Sequence, residues 1–152
     1  MGYILQRCLM TIKMKIFWGL GLGMLALDQI SKYWVMQNLQ LYRDEIHIIP
    51  SFLSIIHAEN PYAAMGLGSV IKDETLRMGL FYAFTVVAAG VLAKMLKDLD
   101  DKDRFQSTTI ALIFSGAMGN LIDRLYKQSV TDFIKVYTEY GPLRSWLETR
   151  FH

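Results

Sequence analysis

GAMGNLIDRLYKQSVTDF, residues Gly116 to Phe133, is the stretch whose reading decides the fold, because in it an uncharged run ends in a cluster of polar and charged groups. Phe105 to Ile122 is eighteen residues without a charge; Asn120, Asp123 and Arg124 stand at its end, and Asp132 follows nine residues after Asp123. A charge at the mouth of an apolar segment is costly unless it faces protein, water or a countercharge, so groups in that place point to function. Asp123 and Arg124 could equally cap and anchor a helix end. Gly116, Ala117 and Gly119 are the small residues through which membrane helices approach closely.

Composition sets the context for that mouth. The chain has 152 residues, is 53% hydrophobic and has a mean hydropathy of +0.25, which is too apolar for an ordinary soluble domain. The expected fold class is an all-α membrane protein with a small β element, forming a single integral-membrane domain over residues 1–152. A net charge of +2 without a clustered basic face argues against a nucleic-acid partner. Cys8 is the single cysteine and excludes an intramolecular disulfide, and the three histidines show no metal-ligand spacing, so a metal site is not expected. His47 and His57 read as ordinary strand or interface residues.

Three crossings are expected, near 16–36, 76–96 and 105–122. In the first, Ile16 to Leu27 is uncharged, and no small-residue cleavage site follows it, which favours a retained segment over a cleaved signal peptide. From Ile16 to Met36 the run is 21 residues, about 30 Å of helix, enough for a bilayer core. Asp28 and Lys32, at i and i+4, share a helix face and can neutralise each other, with Tyr33 and Trp34 suited to the interface belt. The plainer alternative is an ion pair that only anchors the helix end. Met78 to Ala93 gives the second crossing, flanked by Arg77 and Lys94, which can snorkel.

Between the first two crossings, residues 37–74 form a surface loop. Leu41 to Ile49 and Phe52 to Ile56, divided by Pro50, read as two short strands. HAENPYAAMGLGS follows, with Asn60 extended before Pro61 and with small residues that permit close approach or simply a tight turn. At the C-terminal end, 134–152 reads as a surface segment in which Pro142, Leu143, Trp146 and Leu147 suggest a short amphipathic helix. Arg7, Lys13 and Lys15 at the start, and four basic residues in the 94–104 linker, contrast with only Arg43 and Lys72 in 37–74. The positive-inside rule therefore puts the N-terminus and the linker in the cytoplasm, and Asp28, Lys32, Asn60, Asn120, Asp123, Arg124 and Asp132 at the outer face.

The chemistry available there is that of carboxylates. Ser31, Ser69 and Ser115 lack a nucleophile setting, whereas two acids held close together can divide into a protonated acid and a water-activating base. Peptide hydrolysis by an aspartyl dyad follows naturally, with Asn120 and Arg124 orienting the substrate.

Four motifs then carry a resemblance: DQISK (Asp28 to Lys32), ENPYAAMGLG (Glu59 to Gly68), GNLIDR (Gly119 to Arg124) and VTDF (Val130 to Phe133), in this order, together resemble lipoprotein signal peptidase, also called signal peptidase II. The resemblance implies a multi-pass aspartyl endopeptidase of the bacterial inner membrane that removes signal peptides from diacylglyceryl-modified prolipoproteins. It also implies four transmembrane helices in the family, three of them in this chain, an outer-face β-cradle, no cofactor, membrane lipid and lipidated signal peptides as partners, and a monomer. Residue by residue, it makes Asp132 catalytic and Asp123 a supporting acid, and it assigns substrate contact or site support to Asp28, Lys32, Asn60, Asn120 and Arg124.

Two departures modify that expectation. Tyr62 and Met65 replace the family's usual small and aromatic residues. The family's second catalytic aspartate lies in an Asn-x-Ala-Asp motif opening a fourth helix, and residues 134–152 contain neither Asn nor Asp. The expectation is a chain that stops short of the last motif and is impaired in cleavage. The alternative is a non-catalytic membrane protein that binds lipidated peptides at the same mouth, and a transport subunit fits less well because no polar path crosses the helices.

Overall fold

The structure is a computed structural model that describes residues 11–62 and 69–136. Three long helices and a small sheet follow one another in the order α1 (Ile12–Asn38), β1 (Glu45–Ile49), β2 (Leu53–Asn60), α2 (Glu74–Asp98), α3 (Arg104–Lys127) and β3 (Val130–Val136). Each helix covers one of the expected apolar runs. Asp73 begins α2 by accepting the Leu76 N–H at 2.9 Å, and Asp103 begins α3 by accepting the Gln106 N–H at 3.0 Å, both as side-chain caps.

The chain divides into two compact units, one of Met1–Gln29 with Phe81–Leu121, the other of Ile30–Leu80 with Ile122–His152. In the first unit, Phe17 of α1, Leu92 and Leu96 of α2, and Ile110 and Ala111 of α3 form the core. Phe17 also meets Phe114, ring centroids 5.1 Å apart. At Gly21 α1 lies against α3, where a Cβ would stand in ordinary contact, 3.7 Å from the Ala111 carbonyl oxygen. Lys13 at the start of α1 donates to the Lys97 and Leu99 carbonyls at 3.1 and 2.7 Å and pairs with Asp101 at 3.2 Å. A cation on the last carbonyls of α2 opposes their partial negative charge, and it ties the N-terminal end of α1 to the 94–104 linker.

Among the described helices, α2 alone is long and apolar enough to cross a membrane by length and composition. Only 11% of its apolar window is buried, and Phe84, Val86, Val87 and Val91 are exposed. A helix apolar all round and left uncovered suits hydrocarbon as its solvent.

In the second unit the sheet is antiparallel, in the order β1-β2-β3. The β1–β2 turn closes with Phe52 N–H donating to the Ile49 carbonyl at 3.1 Å, and Ser51 in it takes φ 60°, the left-handed third position of a type II turn, whose second position Pro50 suits. At the other edge α3 stops at Gln128, φ 62°, whose N–H returns to the Arg124 carbonyl at 3.0 Å.

The sheet corrects the expected strand limits. His57 to Asn60, expected in a loop, continue β2, and Val130–Val136 adds a strand where only a motif had been read. Pairing with β3 supplies hydrogen bonds that no local pattern announces: Ala58 faces Asp132 and Asn60 faces Val130. The expected amphipathic helix around Pro142 to Leu147 lies outside the described residues.

Lys135 of β3 reaches Glu45 of β1 at 2.9 Å, spanning the central strand over buried Ser54. Hydrogen bonds from Lys135 and then Ser54 hold the Glu45 carboxyl below its usual range, against a small opposing cost of burial. The contribution is therefore present above the ordinary carboxyl range and is lost as pH falls through that range toward the lowered folded value. Because both side chains are partly exposed, Glu45→Gln is expected to cost less than about 1 kcal/mol near neutral pH and nothing in acid. Thermal unfolding of both proteins in detergent micelles across that range checks it; a constant difference would contradict the assignment.

Candidate active site

The two acids of the opening stretch occupy opposite environments. Asp123, in the last turns of α3, is 4% exposed, and its Oδ2 meets Lys32 Nζ at 3.3 Å, Lys127 Nζ at 3.6 Å and the Thr131 N–H at 2.9 Å. Lys32 is itself only 3% exposed. An isolated buried carboxylate would be prohibitive, and two ammonium groups and an amide provide the compensation this one needs. Lys127 also donates to Thr131 Oγ1 and contacts Met36 Sδ at 3.6 Å. Asp123 thus fixes the first residues of β3 to the helix before it.

Asp132 stands next along that strand and points the other way. Strand side chains alternate between faces, so with Thr131 buried, Asp132 is exposed. Its Oδ2 accepts from Asn60 Nδ2 at 3.0 Å. Asn60 Oδ1 in turn accepts the Tyr62 N–H at 2.9 Å, and the Tyr62 carbonyl accepts from Arg124 Nη2 at 3.2 Å. Ser129 Oγ donates to Glu59 Oε2 at 2.8 Å, and the Tyr42 hydroxyl donates to the Glu59 carbonyl at 2.7 Å, so the residue before Asn60 is held at its side chain and its backbone.

Of the residues expected at the site, five gather in the second unit: Lys32 with Asp123, Asn60 with Asp132, and Arg124 through Tyr62. Asp28 and Asn120 belong to the first unit. There Gln29 Nε2 bridges Asp28 Oδ2 at 3.0 Å and the Gly119 carbonyl at 3.3 Å, with Asn120 exposed beside it. A Cβ on Gly119 would fall 2.3 Å from Asp28 Oδ2 and 3.0 Å from its Cγ, whereas one on Gly116 would meet nothing within 4 Å. Gly119→Ala is therefore expected to cost about 1–3 kcal/mol. Gly116→Ala should be neutral or stabilising by up to about 1 kcal/mol. Melting of both variants in micelles separates them; equal effects would show that the contact with Asp28 carries no constraint.

Sequence reasoning passed over Lys127, Thr131 and Tyr42. Lys127 had a signal, four residues after Asp123 on one helix face. Tyr42 had none, since its partner Glu59 lies well along the chain, and Thr131, though close in sequence to Asp123 and Lys127, meets them only because the chain turns after α3.

The family model described as signal peptidase (SPase) II matches residues 20–148. The chain belongs to the signal peptidase II family. Curated relatives include the lipoprotein signal peptidase of Maridesulfovibrio salexigens, 37% identical over 117 residues (77% of this chain, 72% of the relative), and that of Geobacter sulfurreducens, 39% identical over 123 residues (81% and 74%). Among solved structures, a bacterial membrane enzyme determined by the in meso method at 2.3 Å superposes with a TM-score of 0.67 at 30% identity, covering 82% of this chain and 69% of that one. As a signal peptidase II, the chain has the mostly helical fold with a small antiparallel sheet seen here, and a peptidase is the activity its relatives' names carry.

Proposed function

We propose that this chain is the substrate-holding part, with one of two catalytic carboxylates, of an aspartyl endopeptidase that removes signal peptides from lipid-modified prolipoproteins. The observation that carries this reading is the division of the two acids. Asp123 is occupied by Lys32, Lys127 and an amide, while Asp132 is exposed and, among the described residues, held by a single side-chain donor, Asn60. An exposed, oriented carboxylate can take a proton from water or return one to a leaving amine. Asp123 and Lys32 act as the support beneath it, and Asn60 and Arg124 order the strand and turn around it.

The enzyme sits in the bacterial inner membrane with the carboxylates at the outer face. Its crossings are α2, which is apolar enough to cross by itself, and α1 and α3, whose polar ends lower their hydropathy. The Lys13 contacts to the end of α2 support the topology, because they bring together the two basic segments that the charge rule puts in the cytoplasm. Cleavage needs a second carboxylate, and the family's pattern assigns it to an Asn-x-Ala-Asp helix opening that residues 134–152 do not contain. The 152-residue chain in proteoliposomes is expected to bind a diacylglyceryl-modified prolipoprotein without cutting it. The same chain extended by an apolar helix opening with Asn-x-Ala-Asp should release the signal peptide. Cleavage by the 152 residues alone would overturn the dyad assignment, and binding without turnover by both proteins would favour a non-catalytic carrier of lipidated peptides.

A further inference from the structure

Arg77 is a cation that the site described above leaves unused. It lies in the first turn of α2, where the positive end of the helix dipole opposes a basic side chain, so helix stability does not account for it. It does not snorkel. Its side chain is enclosed, 9% exposed, with Nη1 donating to the Ile71 carbonyl at 3.2 Å and Nε buried without a hydrogen-bond partner among the described residues. Its guanidinium carbon stands 5.2 Å from the centroid of the Tyr62 ring. A desolvated guanidinium short of acceptors is drawn to the negative face of an aromatic ring, and the attraction holds both partners in place.

Tyr62 is where this contact meets the site. Its N–H occupies Asn60 Oδ1 at 2.9 Å and its carbonyl takes Arg124 Nη2 at 3.2 Å. With Oδ1 committed to an N–H, the Asn60 amide must turn its NH2 toward Asp132, which it meets at 3.0 Å. The reversed amide would set oxygen against carboxylate and NH2 against N–H, losing both bonds. The position of the Tyr62 backbone therefore decides whether Asn60 is a donor to Asp132.

We propose that Arg77 and Tyr62 form a positioning pair, in which the guanidinium pins the Tyr62 ring and the pinned backbone presents the Asn60 amide to the Asp132 carboxylate. Its kinetic consequence rests on the peptidase reading above; its structural consequence does not. In the extended, cleaving chain, Arg77→Leu and Tyr62→Leu each lower kcat by about ten- to a hundredfold with KM little changed. The double variant is no worse than either single one, because both remove the same contact. Tyr62→Phe keeps the ring face and restores most of the rate, and Arg77→Lys restores part of it.

The independent readout is the 152-residue chain labelled with 15N-asparagine in micelles. It has only three asparagines, Asn38, Asn60 and Asn120, so the Asn60 side-chain NH2 pair is identified by its loss in Asn60→Ser. That pair is expected to shift in Arg77→Leu and Tyr62→Leu as it does in Asp132→Ala, and to stay in Tyr62→Phe. An unmoved pair in the two leucine variants overturns the positioning role whatever the kinetics, and so does Tyr62→Phe behaving like Tyr62→Leu. A pair that moves while no extended chain cleaves, the unsubstituted one included, leaves the positioning role standing and removes the peptidase reading instead.

Discussion

Asp132→Asn, in the chain extended by the Asn-x-Ala-Asp helix, is expected to lower kcat by about a thousandfold while binding of prolipoprotein changes little. The side chains are the same size and both offer a carbonyl oxygen to Asn60, so the strand and the Asn60 contact at 3.0 Å can persist. What is lost is the ability to accept and return a proton, which is the whole contribution of a general base or acid. Magnitude separates this role from support: removing a group that only orients Asp132, such as Asn60→Ala, is expected to cost about a hundredfold or less. Single-turnover cleavage in proteoliposomes, with binding measured separately, reads both numbers. If Asp132→Asn stays within tenfold of the unsubstituted chain while Asp123→Asn abolishes cleavage with its melting temperature unchanged, the two acids have been assigned the wrong way round.

The helices were legible because their information is local. Uncharged runs ending at Leu27, Ala93 and Ile122 lie within α1, α2 and α3, and the capping acids Asp73 and Asp103 stand one residue ahead of α2 and α3. The sheet was legible only at its hairpin. Leu53 to Asn60 loses its strand pattern before Pro61, and what keeps it extended is β3, far along the chain, so nothing near either segment reveals the pair.

The same limit applied to the acids. Asp123 and Asp132 look alike in the sequence, and the difference is made by Lys32, which arrives from α1, and by the pleat of β3, which turns Thr131 in and Asp132 out. Arg77 looked like a flank of the second crossing because its aromatic partner, Tyr62, lies well before it in the chain. Residue types announced a site and the resemblance made Asp132 the catalytic acid and Asp123 the supporting one; pairing supplies the physical difference, one acid buried among cations and the other exposed.

Asp123→Ala is expected to lower the stability of the protein by about 3–5 kcal/mol, the loss typical of removing one partner from a buried ion pair. Lys32, 3% exposed, loses the carboxylate it meets at 3.3 Å, and the Thr131 N–H loses its acceptor at 2.9 Å in the same step. The lysines should be less costly, in a fixed order. Lys32→Met leaves Asp123 with Lys127 at 3.6 Å and the Thr131 amide, so about 1–3 kcal/mol is expected, the cost of leaving a buried carboxylate with fewer partners. Lys127→Met removes a side chain that is 22% exposed and screened, so about 1 kcal/mol or less is expected from the charge. Melting in micelles ranks the three, and a Lys127 effect as large as that of Asp123 would mean that the buried pair is not what secures β3. Asp123→Asn tests the link to the site: it keeps an acceptor for the Thr131 N–H while giving up the charge. If Asp123 serves Asp132 through the strand, cleavage by Asp123→Asn in the extended chain should recover as temperature is lowered and the folded fraction rises. A loss that persists in fully folded protein would instead give Asp123 a part in the chemistry.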